Sequence, residues 1–267
     1  MRKAILNFID FKKINPLVVL FSMVIMMTFL NSCEKEDKEK DQIYKGPEIK
    51  MGKGNANSFI KIDGKGKPVE IGFEMTREAF DGLPENPSDF ANSTFILLLH
   101  QKAIDLTPFD HLVLNWGPQG HPPIGVFNVP HIDFHFYTIS VAEQTSIPPY
   151  TPATAAKFDF LPLPGFMPAS YVADPGGVPG MGKHWGDPNS PRPFSHTMTY
   201  GSYNGGLNFV EPMVTMPILL GGTTIKTPYA QPLYFAKSGK WYPTKYNIYM
   251  DNKTHHHFVT LSDFVKR

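Results

Sequence analysis

The chain has 267 residues, with 25 Lys+Arg against 24 Asp+Glu and a single cysteine. One cysteine excludes an internal disulfide and a zinc site built from several thiolates. A near-neutral balance, with no basic block beyond the first 32 residues, argues against nucleic acid as a partner.

The N-terminus carries Arg2, Lys3, Lys12 and Lys13, then the apolar run INPLVVLFSMVIMMTFL at 14–30, then NSC. That order of basic, apolar and small residues predicts a secretory signal peptide over 1–32. The stretch LNSC, Leu30 to Cys33, resembles a bacterial lipobox. The resemblance implies a diacylated Cys33, attachment to a membrane through that lipid, and a cell-envelope, outer-membrane address on the periplasmic or outer surface. Cleavage would leave 21 basic against 23 acidic residues. EKEDKEKDQ follows with almost no apolar content to offset the entropy of ordering, so 33–50 reads as a flexible charged tether.

From residue 51 to 147 the texture is that of a first β unit. SFIKID, PVEIGFEMT, STFILLLH, HLVLNW and HIDFHFYTIS are short runs rich in β-branched and aromatic residues, separated by Gly, Pro, Asn and Asp. DGKGKP joins the first two as a hairpin turn. TREAFDGLPENPSDF predicts the one short helix, capped by Thr76 and ended by Gly82. Residues 148–193 hold eleven prolines in 46 positions, which excludes a central strand or a helix interior. Phe158, Phe160, Phe166, Tyr171 and Trp185 in the same span predict an ordered loop packed across the sheet. Over 194–267 strand signals return as hairpins, with Asn204-Gly205 the strongest turn among them. The predicted fold is all-β: an antiparallel sandwich or barrel, or two small β units.

The chemistry concentrates in VPHIDFHFYTIS, residues 129–140. In a strand alternate side chains share a face, so His131, Asp133, His135 and Tyr137 point one way and Ile132, Phe134 and Phe136 the other. Positions two apart lie roughly 6.6 Å apart and positions four apart roughly 13 Å. His131 and His135 therefore cannot hold one ion from a regular strand. Asp133 with either neighbour can, and further ligands must come from elsewhere.

Across an Asn204-Gly205 hairpin, Ser202 is expected opposite Leu207 and Met198 opposite Glu211, leaving His196 diagonal to Glu211. His184, in MGKHWGDP near Asp187, and His121, in GHPP, are further candidates. The bland alternative is a set of histidines bonded to backbone carbonyls. HHH at 255–257 follows the turn DNKT and reads as a solvated edge, while His100 and His111 carry no usable signal.

GHPPIGVFNVPHIDFHFY, MGKHWGDP and HTMTYGSYNGGLNFVEPMVT resemble the hallmark blocks of an uncharacterised family of secreted bacterial β-rich proteins, over residues 50–265. The resemblance implies a β domain and places His121, His131, Asp133, His135, His184, His196 and Glu211 within those blocks. It implies no activity.

The expectation is a lipid-tethered β protein with one mixed site. His131, Asp133, His135 and His184 would be its metal ligands, joined by His121, His196 and Glu211. Imidazoles with a carboxylate suit Zn²⁺ or another divalent transition metal. The rival class is a binding or self-assembly module that takes a small ligand, a protein partner or further copies of itself.

Overall fold

The computed structural model describes residues 40–267 apart from 87 and 89. The expected signal peptide, Cys33 and most of the charged run lie outside the described residues. In chain order the strands begin with β1 (Gln42–Lys45), β2 (Ile49–Met51), β3 (Gly54–Ile62), β4 (Pro68–Met75), β5 (Thr94–Leu98), β6 (His111–Gly117), β7 (His131–Tyr137) and β8 (Val172–Ala173). They continue with β9 (Lys183–Gly186), β10 (His196–Tyr203), β11 (Gly206–Thr215), β12 (Ile225–Pro228), β13 (Trp241–Tyr242), β14 (Lys245–Met250), β15 (His257–Ser262) and β16 (Val265–Lys266).

These strands form two antiparallel sheets. The first runs β1-β3-β4-β15-β14-β12, with β2 also on β3, and the second runs β5-β6-β7-β11-β10-β9-β8. A third, two-stranded sheet pairs β13 with β16. The sheets meet through their apolar faces. Phe73 of β4 lies edge-on to Phe134 and Phe136 of β7, at ring-centroid distances of 5.1 and 5.3 Å. All three rings are fully buried, and each such ring contributes about 1.5–3 kcal/mol through burial. Alternation in β7 is thus what turns the opposite row, His131, Asp133, His135 and Tyr137, away from the sandwich core.

Neither sheet closes on itself among the described residues, so the sandwich form holds over the barrel. Nor are there two consecutive β units, because residues 40–267 cluster as one compact body. β15 pairs with β4, and β11 with β7. Each sheet therefore needs strands from both halves of the chain. The tether boundary at 50 also moves, since β1 pairs with β3 over Gln42–Lys45 and β2 follows at Ile49. Ile43, Tyr44 and Ile49 supply enough apolar character there for an edge pairing.

The helix expected near Thr76 is a single 3-10 turn, Arg77–Phe80. The limit of one helix fails, because Gln101–Leu106, Val141–Thr145, Ala155–Asp159 and Met216–Leu220 are also short helices. Each spans too few residues to show helical periodicity. The Pro-rich span holds the Ala155–Asp159 helix together with β8 and β9. Its strands sit at the end of the sheet, where prolines around them remove no ladder hydrogen bond from a central strand. Asn204 and Gly205 both take positive φ, 50° and 79°, as the tight hairpin turn requires.

Candidate metal centre

The outer face of the second sheet is polar in its middle, yet it is buried. All seven residues of β7 are buried. The cover comes from the segment before β7 and from the Pro-rich span. Phe127 packs on Phe194, and Phe194 packs on the His131 ring. The Tyr137 hydroxyl donates to the Gly180 carbonyl at 3.0 Å. Burial of this kind makes each imidazole and carboxylate answerable for a partner.

Two groups of three ligands result. In the first, His131 Nε2 lies 3.0 Å from one oxygen of Asp133, and His121 Nε2 lies 3.5 Å from the other. Both rings are set by their other nitrogen. His131 Nδ1 donates to the Val129 carbonyl at 2.6 Å, and His121 Nδ1 to the Pro122 carbonyl at 2.7 Å. A carbonyl only accepts, so each Nδ1 carries a proton and each ring turns its Nε2 toward Asp133. His131 Nε2 and Asp133 Oδ1 are buried and have no hydrogen bond despite their proximity.

In the second group, His135 Nε2 is 3.4 Å from Glu211 Oε1, and His184 Nε2 is 3.7 Å from Glu211 Oε2. The Thr199 hydroxyl makes a short hydrogen bond to Glu211 Oε2. Neither nitrogen of His135 has a hydrogen-bond partner, although the ring is fully buried. Phe209 packs on both histidines, with its ring 4.7 Å from His135 and 5.2 Å from His184. Within each group the three ligand atoms lie within 4.8 Å of one another.

The electrostatics follow from burial. Burial pushes His135 down to about 3 and His184 down to about 4, so both rings are neutral at ordinary pH. Burial, reinforced by the charge on Asp133, pushes the Glu211 carboxyl well up. Asp133 resists its own burial and is held below the usual carboxylate range by His131 and His121. Burial pulls His121 down, but the hydrogen bond and charge of Asp133 more than reverse this, raising it to about 9.

His196 does not join either group. It lies on the other face of β10, with Nδ1 2.7 Å from the Tyr246 hydroxyl. The expected hairpin register is right at Ser202–Leu207 and wrong beyond it. A bulge between Gly201 and Ser202 moves Thr199, in place of Met198, opposite Glu211. One inserted residue flips every later side chain, so Glu211 shares its face with Thr197 and Thr199. The single site expected from sequence is thus divided, with His131 and Asp133 in one group and His135 and His184 in the other.

Asp187 serves its own turn, accepting from the Asn189 amide at 2.9 Å. The HHH run is not uniformly solvated. His256 Nδ1 reaches Glu74 at 2.8 Å, and buried His257 Nδ1 donates to the Leu219 carbonyl at 2.9 Å. Sequence reasoning missed Thr199 and Gly201, which only the bulged register brings to the site. It also missed His111, which stacks on Tyr137 at 4.8 Å and bonds Gln144. Pairing β6 with β7, which places His111 across from Tyr137, would have been the signal.

Fold and site together define an antiparallel β-sandwich with paired His/carboxylate groups under a loop layer. Residues 63–116 match the family model described as TTHB210-like, hypothetical protein TTHB210. That family is uncharacterised, and the match ends at Trp116, before the histidine blocks begin. No curated protein and no solved structure matches the chain. No helix among the described residues is long and apolar enough to cross a membrane.

Proposed function

We propose that this chain is an envelope lipoprotein, tethered through Cys33, whose sandwich binds divalent first-row metal ions at His121/His131/Asp133 and at His135/His184/Glu211. One observation carries the reading. Buried lone pairs converge on one another without hydrogen bonds: His131 Nε2 on Asp133 Oδ1, and His135 Nε2 beside Glu211. Bare acceptors at such distances repel unless a proton or a metal cation lies between them. Bonds of about 2.0–2.2 Å at tetrahedral angles separate ligand atoms by about 3.3–3.6 Å, and the closest separations here run from 3.0 to 3.7 Å.

Nitrogen and carboxylate donors favour Zn²⁺ or a neighbouring first-row ion. The Nδ1 bonds of His121 and His131 to main-chain carbonyls are the kind of support that orients metal-bound imidazoles. Three protein ligands leave a fourth position for water or a small ligand, and an ion there lowers the pKa of that water. His121, whose side chain is 40% exposed, gives the first group the easier access from solvent.

Elemental analysis of the purified protein should find up to two equivalents of metal, with less in Asp133→Ala and His135→Ala. A metal-free protein that also ignores added Zn²⁺, Co²⁺, Ni²⁺ and Mn²⁺ overturns the reading. For the tether, labelling with a palmitate analogue should disappear in Cys33→Ala, and retained label would remove the anchor.

A further inference from the structure

A cavity of about 340 Å³ opens between the 229–243 segment and the end of the second sheet, and no residue of either candidate metal group lines it. It falls within the roughly 300–1,000 Å³ typical of small-molecule sites. Phe109, Ile139, Phe166, Tyr200 and Tyr229 are among its walls.

Tyr200, Tyr229 and Tyr242 offer ring faces and no free donors. The Tyr200 hydroxyl donates to the Ala230 carbonyl at 2.7 Å, Tyr229 to Pro243 at 2.8 Å and Tyr242 to Lys237 at 3.0 Å. With those bonds made internally, the interior is apolar and held in shape before any ligand arrives.

One charge stands at the rim. Lys237 Nζ donates to the Pro108 carbonyl at 3.0 Å and to the Thr138 carbonyl at 2.7 Å. An ammonium has three donors, so one remains. Among the described residues no carboxylate lies within ion-pair distance of it. Asp110 and Glu143 act on it only from further off. Arg267 adds a second cation nearby, its guanidinium 4.8 Å above the Phe235 ring that also lines the cavity. Leu163 lines the cavity and is 66% exposed, with Tyr234 beside it at 57%. The opening therefore carries apolar surface and positive charge together.

We infer that this cavity binds a single-chain amphiphile with an anionic head, its chain among the aromatic walls and its head on Lys237. The chain gains by leaving water, and the head takes the unused ammonium donor while the two carbonyl bonds hold Nζ in place. A free carboxylic acid and a lipid phosphate offer the same chemistry, so both heads enter the test.

The full chain is titrated with dodecanoate, dodecyl phosphate and dodecanol below their micellar concentrations, following methyl and aromatic NMR shifts. Both anions should bind more tightly than the alcohol. Lys237→Met should weaken the anions about tenfold, the scale of one charge-assisted hydrogen bond, and leave the alcohol unchanged. Leu163→Trp, placed on exposed lining, should weaken all three. If dodecanoate alone loses affinity in Lys237→Met, the head is a free acid; if dodecyl phosphate alone does, it is a lipid phosphate. Equal binding of acids and alcohol, or no shifts in Ile139 and Leu207, overturns the inference. Repeating the titration with chelator keeps this result independent of the metal groups.

Discussion

Replacing Glu211 with Gln should reverse the sign of one effect while removing another. Glu211 is 1% exposed, and burial, reinforced by the charge on Asp133, pushes its carboxyl well up and favours the protonated form in the metal-free chain. Gln keeps that shape and neutrality. Its carbonyl can accept from Thr199 where Glu211 Oε2 does, and its amide then faces the orphaned His135 Nε2, 3.4 Å away. A protonated Glu211 already offers an O–H to that acceptor, so the amide adds a donor, worth about 0.5–1.5 kcal/mol, only to the extent that Glu211 is ionised. The metal-free variant should therefore be as stable as the parent or up to about 1 kcal/mol more so. A carboxyl whose folded pKa is raised loses stability as pH climbs above the unfolded value, so this advantage should grow with pH.

Metal binding requires the ionised form, which Gln lacks. At a hundredfold excess over Kd, one bound ion stabilises the parent by about 2.7 kcal/mol. For a domain of this size that is about 5–11 °C in Tm. Calorimetry with and without Zn²⁺ should show this contribution from the second group gone in Glu211→Gln. Isothermal titration should show the stoichiometry falling from two to one. A variant that is less stable without metal, or that keeps both equivalents, refutes the reasoning.

Three more outcomes follow from the same geometry. His121 is raised to about 9 chiefly through Asp133. Its stabilising contribution should be complete below pH 6.5 and lost as pH rises through about 9, visible by NMR titration of chelated protein and abolished in Asp133→Asn. At Gly201, opposite His184, a Cβ would stand inside the Phe209 ring. Gly201→Ala should cost about 1–3 kcal/mol by overpacking and lower metal affinity at the second group, read by melting and titration. Tyr137→Phe deletes the hydroxyl bond to Gly180. It should cost about 0.5–1.5 kcal/mol and speed amide exchange in the covering segment, and unchanged exchange would count against that segment being pinned there.

Much of this molecule is written locally. Period-two alternation in HIDFHFY determines that Ile132, Phe134 and Phe136 face the core and the histidines do not, because successive side chains in a strand must oppose one another. Asn204-Gly205 determines its hairpin because both residues tolerate positive φ. The rise per residue alone keeps His131 and His135 from sharing an ion.

Partnership across the chain is different, since it depends on register, and register depends on a bulge that no local pattern announces. The shift at Gly201/Ser202 puts Thr199 beside Glu211 and leaves His196 with Tyr246. His121 reaches Asp133, and His184 reaches Glu211, only because separate covering segments fold over the outer face. The sequence by itself determined the all-β class and which face of the HIDFHFY strand holds the histidines. The tertiary structure alone decided which of them meet, because that meeting is a property of strand pairing between distant segments.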